Sequence, residues 1–309
     1  MKLSVVIPTR GDQNMQNIIE CFKTQSFKNF EVIFIVDKKL ENIDALPIIA
    51  SAEKQSGENI IFKYITNLNS NLNPSSNNAS YLRNFWIEAA EGEFIQLMDD
   101  DERFPENYLE QSLDLRFQYR EELGKDFVLT PTLMYRKTGQ IQNQGFVSFN
   151  FRFSRPIPQK LGKKERDYIE MYSGNSLLAP ARIFKKIKFD EKIDFIYEDL
   201  DFTYRIHRAH IPIIVLRDLK IYHMERDKTL LEQARVGFAM QAYKKAKHRI
   251  VFVKKFATRI QKVQFYLLGF RAQPLWLIGK VLRYWKWKSK WEIMQAILQW
   301  TRDWLSSKI

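Results

Sequence analysis

The sequence is short of cysteine, of glycine and proline, and of unbroken apolar runs, and each shortage excludes something. Cys21 is the only cysteine. An intrachain disulfide framework and a zinc site built on several cysteines are therefore excluded, and a reducing compartment is expected. Eleven Gly and ten Pro in 309 residues exclude collagen-like and low-complexity chains. No stretch of about 18 apolar residues is free of charge, so a spanning helix is not expected. The nearest run, from Phe265 to Leu282, is interrupted by Arg271, Pro274 and Lys280. The N-terminal run Leu3-Ser4-Val5-Val6-Ile7 stops at Pro8, too short for the core of a signal peptide. A cytoplasmic protein is the expectation. What is present, 45% hydrophobic and 28% charged residues, excludes wholesale disorder.

Acidic residues are scarce in one place only. Residues 226–309 carry 19 Lys and Arg against four Asp and Glu, a net +15, while the first 225 residues carry 30 against 32. The formal +13 of the whole chain thus belongs to its last quarter. Six of the seven Trp also fall there, after residue 275. Two domains follow: 1–225, with halves at about 1–103 and 104–225, and a helical, basic, Trp-rich extension over 226–309.

Along the first domain, short apolar β-branched runs at 3–7, 30–36, 60–65 and 94–98 read as strands. Helical spacing at 14–24, 46–52, 79–90 and 105–122 separates or follows them. Alternation of this kind predicts an α/β fold, a mainly parallel sheet with helices on both faces. Further on, 127–129 and 132–134 look like strand, 140–153 like a hairpin edge and the basic stretch 156–167 like a loop. A helix is predicted from Glu198 to His210, followed by two strands, 211–216 and 219–222.

Ligands of such sheets lie beyond the carboxyl ends of the strands. The residues there are Pro8-Thr9-Arg10, Asp37 and Asp99-Asp100-Asp101. In an extended segment Asp99 and Asp101 point the same way, and two converging carboxylates suit Mg2+ or Mn2+. An acidic turn before a helix is the plainer reading. Glu198-Asp199 opens a helix, where acidic residues stabilise the first turn. The same carboxylate can instead serve as a general base, kept ionised by the helix terminus. His223 closes a strand and is either packed or part of a carboxylate metal site.

Taken together, Val5-Val6-Ile7-Pro8-Thr9-Arg10, Phe30-Glu31-Val32-Ile33 with Val36-Asp37, Leu82-Arg83-Asn84, Glu91-Gly92-Glu93-Phe94-Ile95, Asp99-Asp100-Asp101 and Glu198-Asp199-Leu200-Asp201-Phe202 with Arg205 resemble the family-2 inverting glycosyltransferases of GT-A fold. The resemblance covers residues 3–223 and points to bacterial polysaccharide or lipopolysaccharide enzymes. It implies a Rossmann-like nucleotide-binding half in which Pro8, Thr9, Arg10 and Asp37 line the base and ribose site and Arg83 approaches the nucleotide. Asp99 and Asp101 match the family's Asp-x-Asp, the first toward ribose, the second on a Mn2+ or Mg2+ ion that His223 also contacts. Asp199 matches the catalytic base. Gly174, Asn175 and Glu198 fall near donor sugar and acceptor.

The resemblance thus implies transfer from a nucleotide-diphosphate sugar, a UDP-sugar first, to a hydroxyl of a glycan or lipid-linked acceptor. A nucleotidyltransferase is the rival enzyme, but its Gly-rich basic loop is reduced here to Gly11 and Arg10. A non-catalytic membrane- or nucleic-acid-binding module is the rival of another class. It accounts for the tail and leaves both acidic pairs unexplained. Helical spacing over 284–305 gathers Trp287, Trp291, Trp300 and Trp304 on one broad face. A basic helix with Trp on its apolar side suits an anionic membrane surface, peripheral on the cytoplasmic face. A helix packed on the catalytic domain is the alternative, and nucleic acid is the weakest reading, since no motif for it occurs.

Overall fold

A computed structural model describes residues 2–9, 13–36, 60–66, 79–174, 176–193, 196–224 and 238–269. The elements run β1 (Leu3–Thr9), α1 (Gln13–Lys23), β2 (Phe30–Val36), β3 (Ile60–Thr66), α2 (Ala79–Ala89), β4 (Phe94–Leu97), β5 (Glu102–Arg103), α3 (Tyr108–Leu123) and β6 (Val128–Tyr135). They continue with β7 (Ile141–Asn143), β8 (Phe146–Asn150), β9 (Arg155–Pro158), β10 (Arg166–Ile169), β11 (Leu177–Pro180), α4 (Ala181–Lys186), α5 (Glu198–Arg208), β12 (Ile213–His223), α6 (Phe238–Phe256) and α7 (Arg259–Gln264). The predicted helices over 46–52 and 284–305 lie outside the described residues.

The chain divides into two compact units. One comprises Met1–Val147, Pro158–Asp194 and Glu198–Glu225; the other comprises Ser148–Ile157, Phe195–Tyr197 and Arg226–Ile309. In the first unit the main sheet runs β10-β12-β6-β11-β4-β1-β2-β3, with β5 on β12 and β7 on β6. β3, β2, β1 and β4 are parallel, and β11 is antiparallel to both β4 and β6. The parallel order reverses at β1, between β2 and β4. In an open α/β sheet, that reversal marks the ligand crevice, beyond the strands' carboxyl ends.

Both faces are covered because alternate strand residues point to opposite sides. Leu3, Val5 and Ile7 join Phe30, Val32 and Phe34 in one cluster, against Ile18 and Phe22 of α1 and Leu109 and Leu113 of α3. Val6, Ile33, Ile35 and Ile95 turn the other way, onto Leu82 and Trp86 of α2, Phe184 of α4 and Phe202 of α5. Each such buried side chain contributes about 1.5–3 kcal/mol. Gly92 follows α2, and the constraint there is space. A Cβ on it would lie 2.5 Å from the Ser4 nitrogen, and its own N–H donates to the Ser4 hydroxyl at 2.8 Å.

Three expectations fail for identifiable reasons. The predicted strands at 127–129 and 132–134 form one strand, β6, through Pro131. The pairs Thr130↔Val215 and Thr132↔Lys220 flank Pro131, and the partner strand bulges opposite it. A proline, lacking an N–H, is tolerated in a ladder at such a bulge. The same bulge joins the predicted 211–216 and 219–222 strands into β12. The stretch 156–167 is not wholly loop, since β9 and the first residues of β10 fall in it; β10 pairs antiparallel with β12.

In the second unit, α6 carries Phe252 against Phe149 and Phe151, with ring centroids 4.5 and 6.2 Å apart. Thr258 caps α7, accepting the Gln261 N–H while the Gln261 side chain accepts the Thr258 N–H.

Candidate active site

The acidic triplet follows β4 after Met98 and turns. Its middle residue points inward. Asp100 accepts the Thr9 hydroxyl at 2.7 Å, tying the end of β4 to the end of β1, with both residues buried. The turn separates Asp99 from Asp101, which an extended segment would have aimed together. Asp99 Oδ1 faces Arg83 Nη2 at 3.9 Å. Asp101 Oδ2 lies 3.3 Å from His223 Nε2. β5 is what brings His223 there: it pairs antiparallel with the end of β12, Glu102 opposite His223. The Met224 N–H then donates to the Asp101 carbonyl at 2.7 Å.

Beneath the triplet lies Glu102, a residue whose importance is hidden in a run of acids. It is buried and accepts the Ser176 hydroxyl and the Asp99 N–H. Burial first, then the charges of Asp99 and Asp101, hold its carboxyl well above the usual range.

Arg83, on α2, is the link between the triplet and the second acidic pair. Its side chain is 8% exposed and lies over the Phe189 ring, 5.3 Å from the centroid. Arg83 Nη1 donates to Glu198 Oε1 at 3.0 Å. Among the described residues, Arg83 Nε and Glu198 Oε2 are buried without a hydrogen-bond partner. Such orphaned atoms at a strand-end crevice leave polar capacity for a ligand.

Asp199 sits at the start of α5 in a cradle of three donors. Gly174 N–H and the Ser173 hydroxyl reach Oδ2 at 2.7 and 3.0 Å; Leu200 N–H reaches Oδ1 at 2.7 Å. Gly174 has φ 111°, a conformation glycine adopts freely, and so turns its N–H onto the carboxylate. The Ser173 carbonyl is in turn held by the Asn143 amide at 2.6 Å. Burial, and next the charge of Glu198, raise the Asp199 pKa to about 7 against the pull of these donors. The expectation that the helix terminus keeps Asp199 fully ionised is therefore corrected: desolvation and a like charge outweigh the helix end. A carboxylate tuned near neutrality is what general-base chemistry requires.

The structure thus brings together, within the first unit, Thr9, Arg83, Asp99, Glu198, and Asp101 with His223, and sets Asp199 on Gly174. Pro8 lies in β1, one residue before Thr9. Arg10, Asp37 and Asn175 lie outside the described residues. No cluster of three or more His, Cys, Asp or Glu arranged for a metal occurs among the described residues. Asp101 and His223 do fit as a pair. Adjacent ligands of an octahedral ion at about 2.1 Å lie about 3 Å apart, close to their observed spacing, and Mg2+ normally takes its remaining ligands from phosphates and water.

Comparison with known proteins gives the class. Residues 4–122 match glycosyl transferase family 2. The chain is 25% identical over 233 residues to the amylovoran biosynthesis glycosyltransferase AmsB of Erwinia amylovora, covering 72% of this chain and 70% of AmsB. It is 29% identical over 102 residues to the GalNAc(5)-diNAcBac-PP-undecaprenol beta-1,3-glucosyltransferase of Campylobacter jejuni, 33% of this chain and 30% of that enzyme. The fold matches S. aureus TarS 1–349 in complex with UDP-GlcNAc at TM-score 0.60 and 17% identity, over 97% of this chain and 80% of that one. Against the longer TarS structure the chain spans 41% of the length. That family match covers 119 of the 309 residues, and the sheet that carries it has the fold of TarS. The chain is a glycosyltransferase.

Proposed function

We propose that this enzyme transfers a sugar, with inversion, from a nucleotide-diphosphate sugar to a hydroxyl of a glycan or lipid-linked acceptor in the building of a bacterial surface polysaccharide. A UDP-sugar is the first choice of donor, since TarS is seen with UDP-GlcNAc. The acceptor class follows from the relatives, one of them named for an undecaprenol-linked glycan. The observation that carries the reading is Asp199, raised to about 7 and aimed by Ser173, Gly174 and Leu200.

In the proposed reaction the Asp199 carboxylate takes the proton of the acceptor hydroxyl. That oxygen attacks the anomeric carbon from the face opposite the nucleoside diphosphate, whose bond to the sugar breaks as the new one forms. Pro8, Thr9, Arg10 and Asp37 bind the nucleoside, Asp99 turns toward the ribose, and Arg83 orients Asp99 and Glu198 around the donor. Gly174, Asn175 and Glu198 bind the transferred sugar. Asp101 and His223 would hold a Mn2+ or Mg2+ ion, which would offset charge on the leaving diphosphate, while Asp99 faces Arg83.

An anionic membrane surface, met through residues 226–309 on the cytoplasmic face, places the enzyme beside such acceptors. On and just after α7, Ile260, Val263, Leu267 and Leu268 are 73, 58, 58 and 50% exposed, next to Arg259 and Lys262. That mixture suits an interfacial segment. No helix among the described residues is long and apolar enough to cross a membrane.

The test is a melting panel with UDP, GDP and dTDP, with and without Mn2+, beside turnover of UDP-GlcNAc. UDP should protect in a Mn2+-dependent way, and Asp101→Asn should lose the Mn2+ dependence. Asp199→Asn should keep the protection and lose about a hundredfold or more in turnover. Turnover near wild type in Asp199→Asn removes the base assignment.

A further inference from the structure

The two residues before Glu198 hold a conformation that residues with side chains rarely adopt. Ile196 has φ 63° and Tyr197 φ 83°. For a β-branched residue this is a steric outlier. Outliers of this kind persist only where the surroundings over-determine them, and they gather at functional sites.

What holds these two residues is α6, in the same compact unit as Phe195–Tyr197. His248, 1% exposed, sets Nδ1 2.7 Å from the Ile196 carbonyl oxygen. A carbonyl only accepts, so Nδ1 carries the proton. Arg249 Nε donates to the Tyr197 hydroxyl at 3.2 Å, and that hydroxyl donates to the Ser154 carbonyl at 3.4 Å. The Tyr197 ring lies edge-on to Phe252, centroids 6.0 Å apart and planes at 71°. One stretch of helix grips a strained dipeptide by its backbone and by its side chain. The next two residues along the chain are Glu198 and Asp199.

We propose that His248 and Arg249 are positioning residues for the catalytic base. They hold Ile196 and Tyr197 in the left-handed region, and this sets the direction in which the chain enters Glu198-Asp199 and so the aim of the Asp199 carboxylate. The C-terminal extension then has a part in catalysis separate from any part in binding a surface. This inference rests on Asp199 being the base.

The experiment uses the full chain and two readouts. His248→Phe keeps the ring volume and removes the donor; His248→Asn keeps an N–H near the place of Nδ1. Amide exchange at 198–200 reports the hold directly and needs no donor sugar. His248→Phe should speed it about tenfold. The kcat for UDP-GlcNAc with Mn2+ should fall about tenfold to a hundredfold, with KM within about twofold, because the aim of the base changes while donor binding does not. His248→Asn should restore both readouts. Ile196→Gly, added to His248→Phe, is the second variant: glycine takes φ 63° without strain, so it should recover part of the kcat that His248→Phe loses. Unchanged exchange or wild-type kcat in His248→Phe, or a loss that added Ile196→Gly leaves untouched, overturns the proposal. Failure of the base reading shows separately, as turnover retained in Asp199→Asn.

Discussion

Ser173→Ala isolates one of the donors that tune Asp199. The Ser173 hydroxyl lies 3.0 Å from Asp199 Oδ2, and the Ser173 carbonyl stays anchored by Asn143 whatever the side chain. The substitution therefore removes a hydrogen bond and leaves the cradle in place. A hydrogen bond to a charged group contributes about 1.5–3 kcal/mol, and one pKa unit corresponds to about 1.4 kcal/mol. Losing a donor to the ionised form raises the pKa, here by about one to two units from a starting value of about 7. The acid limb of kcat/KM, which reports the free enzyme, should move from about pH 7 to about pH 8–9. At pH 7 the ionised fraction falls from about one half to between about one tenth and one hundredth, so activity drops about five- to fiftyfold. Above the new limb, activity returns to the wild-type plateau. Ser173→Thr, which keeps the hydroxyl, should keep the limb near 7. A loss of the same size at every pH would refute the reasoning, because it would mean that Ser173 shapes the site and does not set the basicity of Asp199.

The same shift governs stability, with a definite sign. A carboxyl whose folded pKa lies above its unfolded one binds its proton more tightly in the fold, so stability is lost as pH rises from about 4 toward 7. Asp199→Asn should therefore be more stable than the wild type at pH 8, by up to about 4 kcal/mol, and the gap should close as the pH approaches 4; urea unfolding at both pH values measures it. Arg83→Ala leaves Glu198 buried without its ion-pair partner, and breaking a buried pair costs about 3–5 kcal/mol; Arg83→Lys should recover only part of this, since a point charge replaces a fork that serves Glu198 and Asp99 together.

Much of the frame was legible in the chain. The runs at 3–7, 30–36, 60–65 and 94–98 are short, apolar and bounded, and all are strands of the sheet. Asp99, Asp101 and Asp199 stood out by their place at a strand's carboxyl end and a helix start and by the motifs they share with the family, although an acidic turn and a helix cap accounted for them as well. Ser173 and Glu102 gave no comparable signal. One is a serine in an irregular stretch, and the other the last letter of an acidic run. The runs 127–129 and 132–134 did not read as one strand through Pro131, since the compensating bulge lies more than 80 residues away in β12.

The sequence by itself determined the alternation of strands and helices and the split between a near-neutral first 225 residues and a basic, Trp-rich remainder, and it marked the candidate carboxylates. Local spacing and composition encode these properties. Tertiary structure decided the rest. It set Asp101 against His223 through the pairing of β5 with β12. It joined Arg83 to Glu198, and it lifted Asp199 to about 7 by burial and a neighbouring charge. Desolvation and charge coupling depend on distances between residues far apart in the chain, and no periodicity in the sequence records those distances.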